Sequence, residues 1–140
     1  MAITKSKILK IDYFSYIKAF FNLMKPRVMS LVIFTCAVGL LIAPITIDFT
    51  NIIFSLAAVA LGSGAAGALN MWYESDLDSL MTRTCLRPIP AGKLTKNQAL
   101  IFGILSSLVS VVTLYIFSNL IASIILAVTI LFYFFVYTVW

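Results

Sequence analysis

Long stretches without a single charge constrain this chain more than any other feature. Twenty residues separate Arg27 from Asp48, 25 separate Asp48 from Glu74, and 44 run from Asn97 to Trp140. Hydrocarbon supplies no hydrogen-bond partners, so a spanning segment must satisfy its own backbone, and a helix of about 20 apolar residues does so across one bilayer. The last run as one helix would be about 66 Å long, roughly twice the hydrocarbon thickness, so it has to fold back on itself. Ser118-Asn119 is the expected turn, because both side chains compete for local backbone hydrogen bonds. Four spans are predicted: Val28 to Ile47, Ile52 to Tyr73, Gln98 to Phe117 and Leu120 to Trp140. With 62% hydrophobic and 11% charged residues, the chain is too apolar for a soluble domain of its length. The expected fold class is an all-α membrane protein of about four transmembrane helices.

Charge then orients the spans. All ten basic residues fall either before span one (Lys5, Lys7, Lys10, Lys18, Lys25, Arg27) or between spans two and three (Arg83, Arg87, Lys93, Lys96). With four spans both regions lie on one side, and the positive-inside rule makes that side, and both termini, cytoplasmic. The net charge of +5 is thus a signature of topology and not of nucleic-acid binding.

Residues 1–27 read as a cytoplasmic or interfacial lead-in to a transmembrane domain at 28–140. No cleavable signal is expected, since the first apolar run begins only after Lys25-Pro26-Arg27. Ile8, Ile11, Phe14, Ile17, Phe20, Phe21 and Met24 recur at helical spacing beside lysines, which predicts a short helix on the membrane surface; a tethered tail is the alternative. Pro26 suits the first turn of a helix, where its missing N–H costs nothing. Cys36 and Cys85 stand alone, indicating neither a disulfide nor a metal site. Histidine is absent, which removes the commonest general base and metal ligand. Gly62-Ser63-Gly64-Ala65-Ala66-Gly67 spells GxGxxG, but inside a membrane span it reads as helix packing or room for a lipid-like substrate, not as a dinucleotide fingerprint.

Charge returns abruptly after span two, in NMWYESDLDSLMTRTCLRPIP from Asn70 to Pro90. On a continuing helix Asn70, Glu74 and Asp78 project within about 80° of one another, whereas Asp76 falls on a different face. Carboxylates at a helix C-terminus oppose the macrodipole and need a cation or a strong donor. Three oxygen donors in one stripe suit Mg²⁺, which takes one or two carboxylates together with substrate phosphate and water. Arg83 and Arg87 could then hold diphosphate oxygens bidentately. Asp48, placed by the charges on the opposite side, is left out of the site. An ordinary charged loop between two membrane helices is the plainer alternative.

NMWYESDLDSLMTRTCLRPIPAGKLT, with LMKPRVMSLVIFTCAVGLLIAP before it, resembles the N-terminal blocks of the protohaem IX farnesyltransferases, or haem O synthases, of the UbiA-type intramembrane prenyltransferases. The shared pattern is an Asn, an acid at +4, Asp at +6 and +8, then Met-x-Arg-Thr-x-x-Arg-Pro, here Asn70, Glu74, Asp76, Asp78, Met81, Arg83, Thr84, Arg87 and Pro88. It runs from about Met24 to the end of the chain. One departure is Glu74, where the family more often has Asp.

The resemblance implies transfer of a farnesyl group from farnesyl diphosphate to a vinyl group of protohaem, giving haem O. It makes Asn70, Glu74, Asp78 and Arg83 the catalytic candidates, and Asn70, Glu74, Asp76 and Asp78 the Mg²⁺ ligands. Arg87, Lys25 and Arg27 become the substrate-binding candidates at the same mouth. The bacterial inner membrane is the expected location, with the mitochondrial inner membrane as the alternative. Family members are about twice as long and carry a second acidic motif, so the chain is expected to supply half of a UbiA-type bundle, completed by a second chain or another copy. The competing expectation is a non-catalytic four-helix membrane protein, a decayed fragment or subunit that binds metal-diphosphate without turnover.

Overall fold

The computed structural model describes residues 13–44 and 47–139, and the described residues are helical apart from short connections. In chain order the helices are α1 (Tyr13–Leu23), α2 (Pro26–Ile42), α3 (Phe49–Leu80), α4 (Lys96–Phe117) and α5 (Leu120–Phe132), the last continuing as a wider π-helical segment over Tyr133–Val139. Three of these, α3, α4 and α5 with its extension, are long and apolar enough to cross a membrane, and α1 with α2 makes a fourth if the bent pair counts as one span.

The first span departs from its expected limits. α2 stops at Ile42 after 17 residues, about 26 Å, and does not run to Ile47. Pro44 is the reason, since its ring disfavours the helical conformation at Ala43, which is extended at φ −58°, ψ 130°. Span two errs the other way. α3 runs for 32 residues, about 48 Å, and carries its last two turns past Tyr73. Span three starts two residues early, behind a Thr95 cap whose hydroxyl accepts from the Gln98 N–H while the Gln98 side chain accepts from the Thr95 N–H. The turn at Ser118-Asn119 is where the sequence places it, with the Asn119 side chain accepting from the Ala122 N–H at 2.7 Å.

α4 lies antiparallel along α3, and three contacts fix the register. A Cβ on Gly103 would come within 2.8 Å of Leu69, one on Gly62 within 2.5 Å of Ser110 Oγ, and the Phe54 and Phe117 rings stack 4.2 Å apart. These rungs fall about two turns apart on each helix, the spacing at which two helices can stay in contact along their length. Ser110 also donates to the Ala58 carbonyl at 2.8 Å, a buried bond between the two shafts. The small-residue run thus packs helices, as expected of it: Gly64 and Gly67 face Met24.

The best-packed part of the molecule is the charged end. Ala19 and Leu23 of α1, Ala68 and Met71 of α3, Leu94 of the connecting loop and Ala99 of α4 form one buried cluster. Within α1, Ala19 and Leu23 turn inward while Phe14, Ile17 and Phe21 stay exposed. Outward apolar side chains of that size suit contact with lipid. Ile8 and Ile11 of the expected stripe lie outside the described residues, as does Trp140.

Candidate functional site

Every fourth residue of α3 from Gly62 to Asp78 lies on one slowly turning ridge: Gly62, Ala66, Asn70, Glu74 and Asp78. The lower part of the ridge is small and the upper part polar. Gly62 and Ala66, with Ser63 and Gly67, floor an apolar cavity of about 190 Å³ walled by Val28 and Val32 of α2, by Leu126 and Ile130 of α5 and by Tyr133 at the start of its extension. Directly above, Glu74 and Asp78 join Arg83, Thr84 and Arg87 around a second cavity of about 240 Å³. Among the described residues Lys25 is the sole charged one lining the lower cavity.

The loop after α3 brings Arg87 back over the ridge. Its turns are closed by its own backbone, with Arg87 N–H donating to Thr84, Ala91 N–H to Arg87, and Lys93 and Leu94 N–H to Pro88. Gly92, at φ +68°, makes the left-handed turn that lets Leu94 drop into the core. Thr84 donates to the Asp78 carbonyl at 3.0 Å, covering a carbonyl that the end of α3 leaves without a helical partner. Held in this way, Arg87 Nη1 lies 2.8 and 2.6 Å from the two Asp78 carboxylate oxygens and 3.6 Å from Glu74 Oε2. A single positive centre therefore touches both carboxylates. Asp78 is buried, and the pairing answers the requirement for a cation at this end of the helix.

Asn70 ties three segments together. Lys25 donates from Nζ to Asn70 Oδ1, and Asn70 Nδ2 donates to Thr138 Oγ1 at 3.3 Å. Lys25 sits at the break between α1 and α2, which meet at 57°, and its backbone is left-handed at φ +52°. A residue with a Cβ adopts that conformation only at a cost, commonly found where a side chain has to be aimed. Thr138 in turn donates to the Tyr133 carbonyl at 3.2 Å, five residues back along the widened final helix. Such widenings are frequent at functional sites.

The remaining expected site residues are distributed less evenly. Arg83 lines the upper cavity and is exposed. Asp76 points away and pairs with Lys96 at 2.6 Å, largely in solvent, so it is not brought together with Asn70, Glu74 and Asp78. Arg27 is exposed and makes no side-chain hydrogen bond or ion pair among the described residues. Thr138, Tyr133 and the capping role of Thr84 were missed from sequence. A lone threonine in an apolar run was the available signal for Thr138, but nothing local says which helix it meets.

Residues 32–140 match the profile of the UbiA prenyltransferase family. The chain belongs to that family. It is 66% identical over 120 residues to a protein named protoheme IX farnesyltransferase from Pelagibacter ubique (strain HTCC1062), a match covering 86% of this chain and 40% of that protein. It is 50% identical over 121 residues to protoheme IX farnesyltransferase 2 of Mesorhizobium japonicum, covering 86% and 38%. With protoheme IX farnesyltransferase of Rhodopseudomonas palustris (strain BisB5) it shares 54% over 118 residues, covering 84% and 38%. The chain thus spans about 40% of the length of the curated relatives it matches. No solved structure matches it. Its UbiA-family segment contains the ridge and Arg87 and begins after Lys25 and Arg27.

The ridge fits a divalent cation by donor chemistry. Among the described residues no three His, Cys, Asp or Glu side chains converge. What converges is two carboxylates and, one turn below, an amide oxygen, all hard donors. Magnesium sites often take one or two carboxylates and complete their shell with phosphate and water.

Proposed function

We propose that this chain provides the diphosphate-binding part of a membrane prenyltransferase that moves a farnesyl group from farnesyl diphosphate to protohaem IX. One observation carries this reading: the carboxylates of Glu74 and Asp78 converge on a single cationic nitrogen directly above an apolar cavity on the same helix ridge. A ligand with an anionic head and a long apolar tail matches that division. The names of the relatives support the same donor and acceptor, and divalent-metal use, general in the family, supports Mg²⁺ as the cation that Asn70, Glu74 and Asp78 would hold.

In this reading Glu74 and Asp78 would hold Mg²⁺ with Asn70, and Asp76 stays outside at its pair with Lys96. Arg83 and Arg87 bind diphosphate oxygens as planar donors, while Lys25 stands where head and tail meet. As the allylic C–O bond breaks, its electron pair leaves with the diphosphate, and preorganised positive charge is worth most at that point. Mg²⁺, when bound, supplies further neutralisation of the departing oxygens. Val28, Val32, Ile130 and Tyr133 keep water from the allylic carbon. The bacterial inner membrane is the proposed setting.

Membranes containing this chain alone, given protohaem, farnesyl diphosphate and Mg²⁺, test the reading by chromatography of haem O. Product that disappears in Asn70→Ala and Asp78→Ala supports it as an unaided enzyme. No product, together with Mg²⁺-dependent diphosphate binding lost in the same variants, supports a binding half without turnover. Absence of both product and binding removes the proposal.

A further inference from the structure

Lys25 combines three properties that ordinary packing does not require of a lysine. Its backbone is left-handed, a conformation in which glycine would be at ease. Its ammonium is held by Asn70 Oδ1, a buried amide with its other end fixed by Thr138. It also lines the apolar cavity, and the charges of Arg87, Glu74 and Asp78 act on it. The Asn70 amide is thereby oriented: Nδ2 is committed to a hydroxyl acceptor, and Oδ1 is turned toward positive charge.

An ammonium and a divalent cation repel strongly at hydrogen-bonding distance in a poorly solvated site. They cannot share one amide oxygen. We propose that Lys25 is a positioning residue that competes with the divalent cation for Asn70 Oδ1 and crosses to the diphosphate when metal and diphosphate arrive together. This rests on the metal-diphosphate reading above. The left-handed residue at the 57° junction of α1 and α2 is the joint about which the side chain is aimed, and from there the ammonium reaches Asn70, one turn below Glu74 on the same ridge. Bare metal is then disfavoured and the metal-diphosphate pair favoured, so the site charges only when a diphosphate comes with the cation.

The test is binding of Mn²⁺ to the purified full chain, followed by electron paramagnetic resonance with and without inorganic pyrophosphate. Loss of one charge-assisted hydrogen bond is worth about tenfold. Lys25→Met should therefore bind Mn²⁺ alone about tenfold more tightly and pyrophosphate with Mn²⁺ about tenfold more weakly. A merely structural lysine would move both affinities the same way or neither, and either result overturns the proposal. Simple charge repulsion is separated by a double-mutant cycle, because the Mn²⁺ effect of Lys25→Met must vanish in an Asn70→Ala background. Its persistence there overturns the mechanism. Lys25→Gly, which relieves the backbone, should keep or raise thermal stability while showing the same crossed affinities, so that folding and binding are read apart. A wild-type chain that binds neither Mn²⁺ nor pyrophosphate removes the metal-diphosphate reading as well; same-direction shifts in a chain that binds both remove only the role of Lys25.

Discussion

Asp78 and Asp76 stand two residues apart at the end of α3 with the same carboxylate, and the structure treats them in opposite ways. The Asp78 side chain is 5% exposed and shares Arg87 with Glu74; that of Asp76 is 84% exposed and meets Lys96 in solvent. Distance does not separate the two pairs, since both close to 2.6 Å. Surroundings do. An exposed pair is screened and solvated in either state, so its formation changes little, whereas a buried carboxylate left alone retains its full desolvation cost. Helical geometry divides neighbouring acids into one buried against Arg87 and one left in solvent beside Lys96.

Removing the shared cation should break the contrast most visibly. Arg87→Met leaves Asp78 buried and unpaired, and is expected to cost about 3 kcal/mol in detergent unfolding, with much of it recovered in the Arg87→Met, Asp78→Leu double variant. Equal losses in the single and double variants would mean that Arg87 acts through packing. Glu74→Gln keeps the shape of the ridge while removing one anionic donor. Metal-dependent pyrophosphate affinity should fall by about tenfold or more, roughly 1.4 kcal/mol, measured by titration at fixed Mg²⁺. Asp76→Asn should stay within about twofold in the same titration, below roughly 0.5 kcal/mol. The smallest effect belongs to Lys96→Met, expected to shift stability by less than about 0.5 kcal/mol because its pair is exposed. A large loss there would erase the distinction between the faces.

Much of this contrast is legible before folding. A helical period applied to Asn70, Glu74, Asp76 and Asp78 already separates Asp76 from the other three, and charge-free runs compared with bilayer thickness locate the crossings. The turn at Ser118-Asn119 follows from the same comparison. The end of α2 was misplaced because apolar character continues to Ile47, whereas Pro44 had already stopped the helix. Apolar runs measure what lipid tolerates; backbone sterics decide where a helix ends.

The sequence by itself determines a helical membrane chain with an acid-bearing stripe at one helix end, since both properties depend on spacing along a single segment. Partners of the stripe belong to the tertiary structure. Asn70 takes its hydrogen bonds from Lys25 and to Thr138, 45 and 68 residues away, and the Arg87 guanidinium reaches Asp78 only after the loop has turned on itself. Packing of α1, the loop and α4 against α3 in one cluster places Lys25 and Arg87, and the extension of α5 brings Thr138 to Asn70. No local pattern could, because a contact between distant segments is decided by the shape that all of them make together.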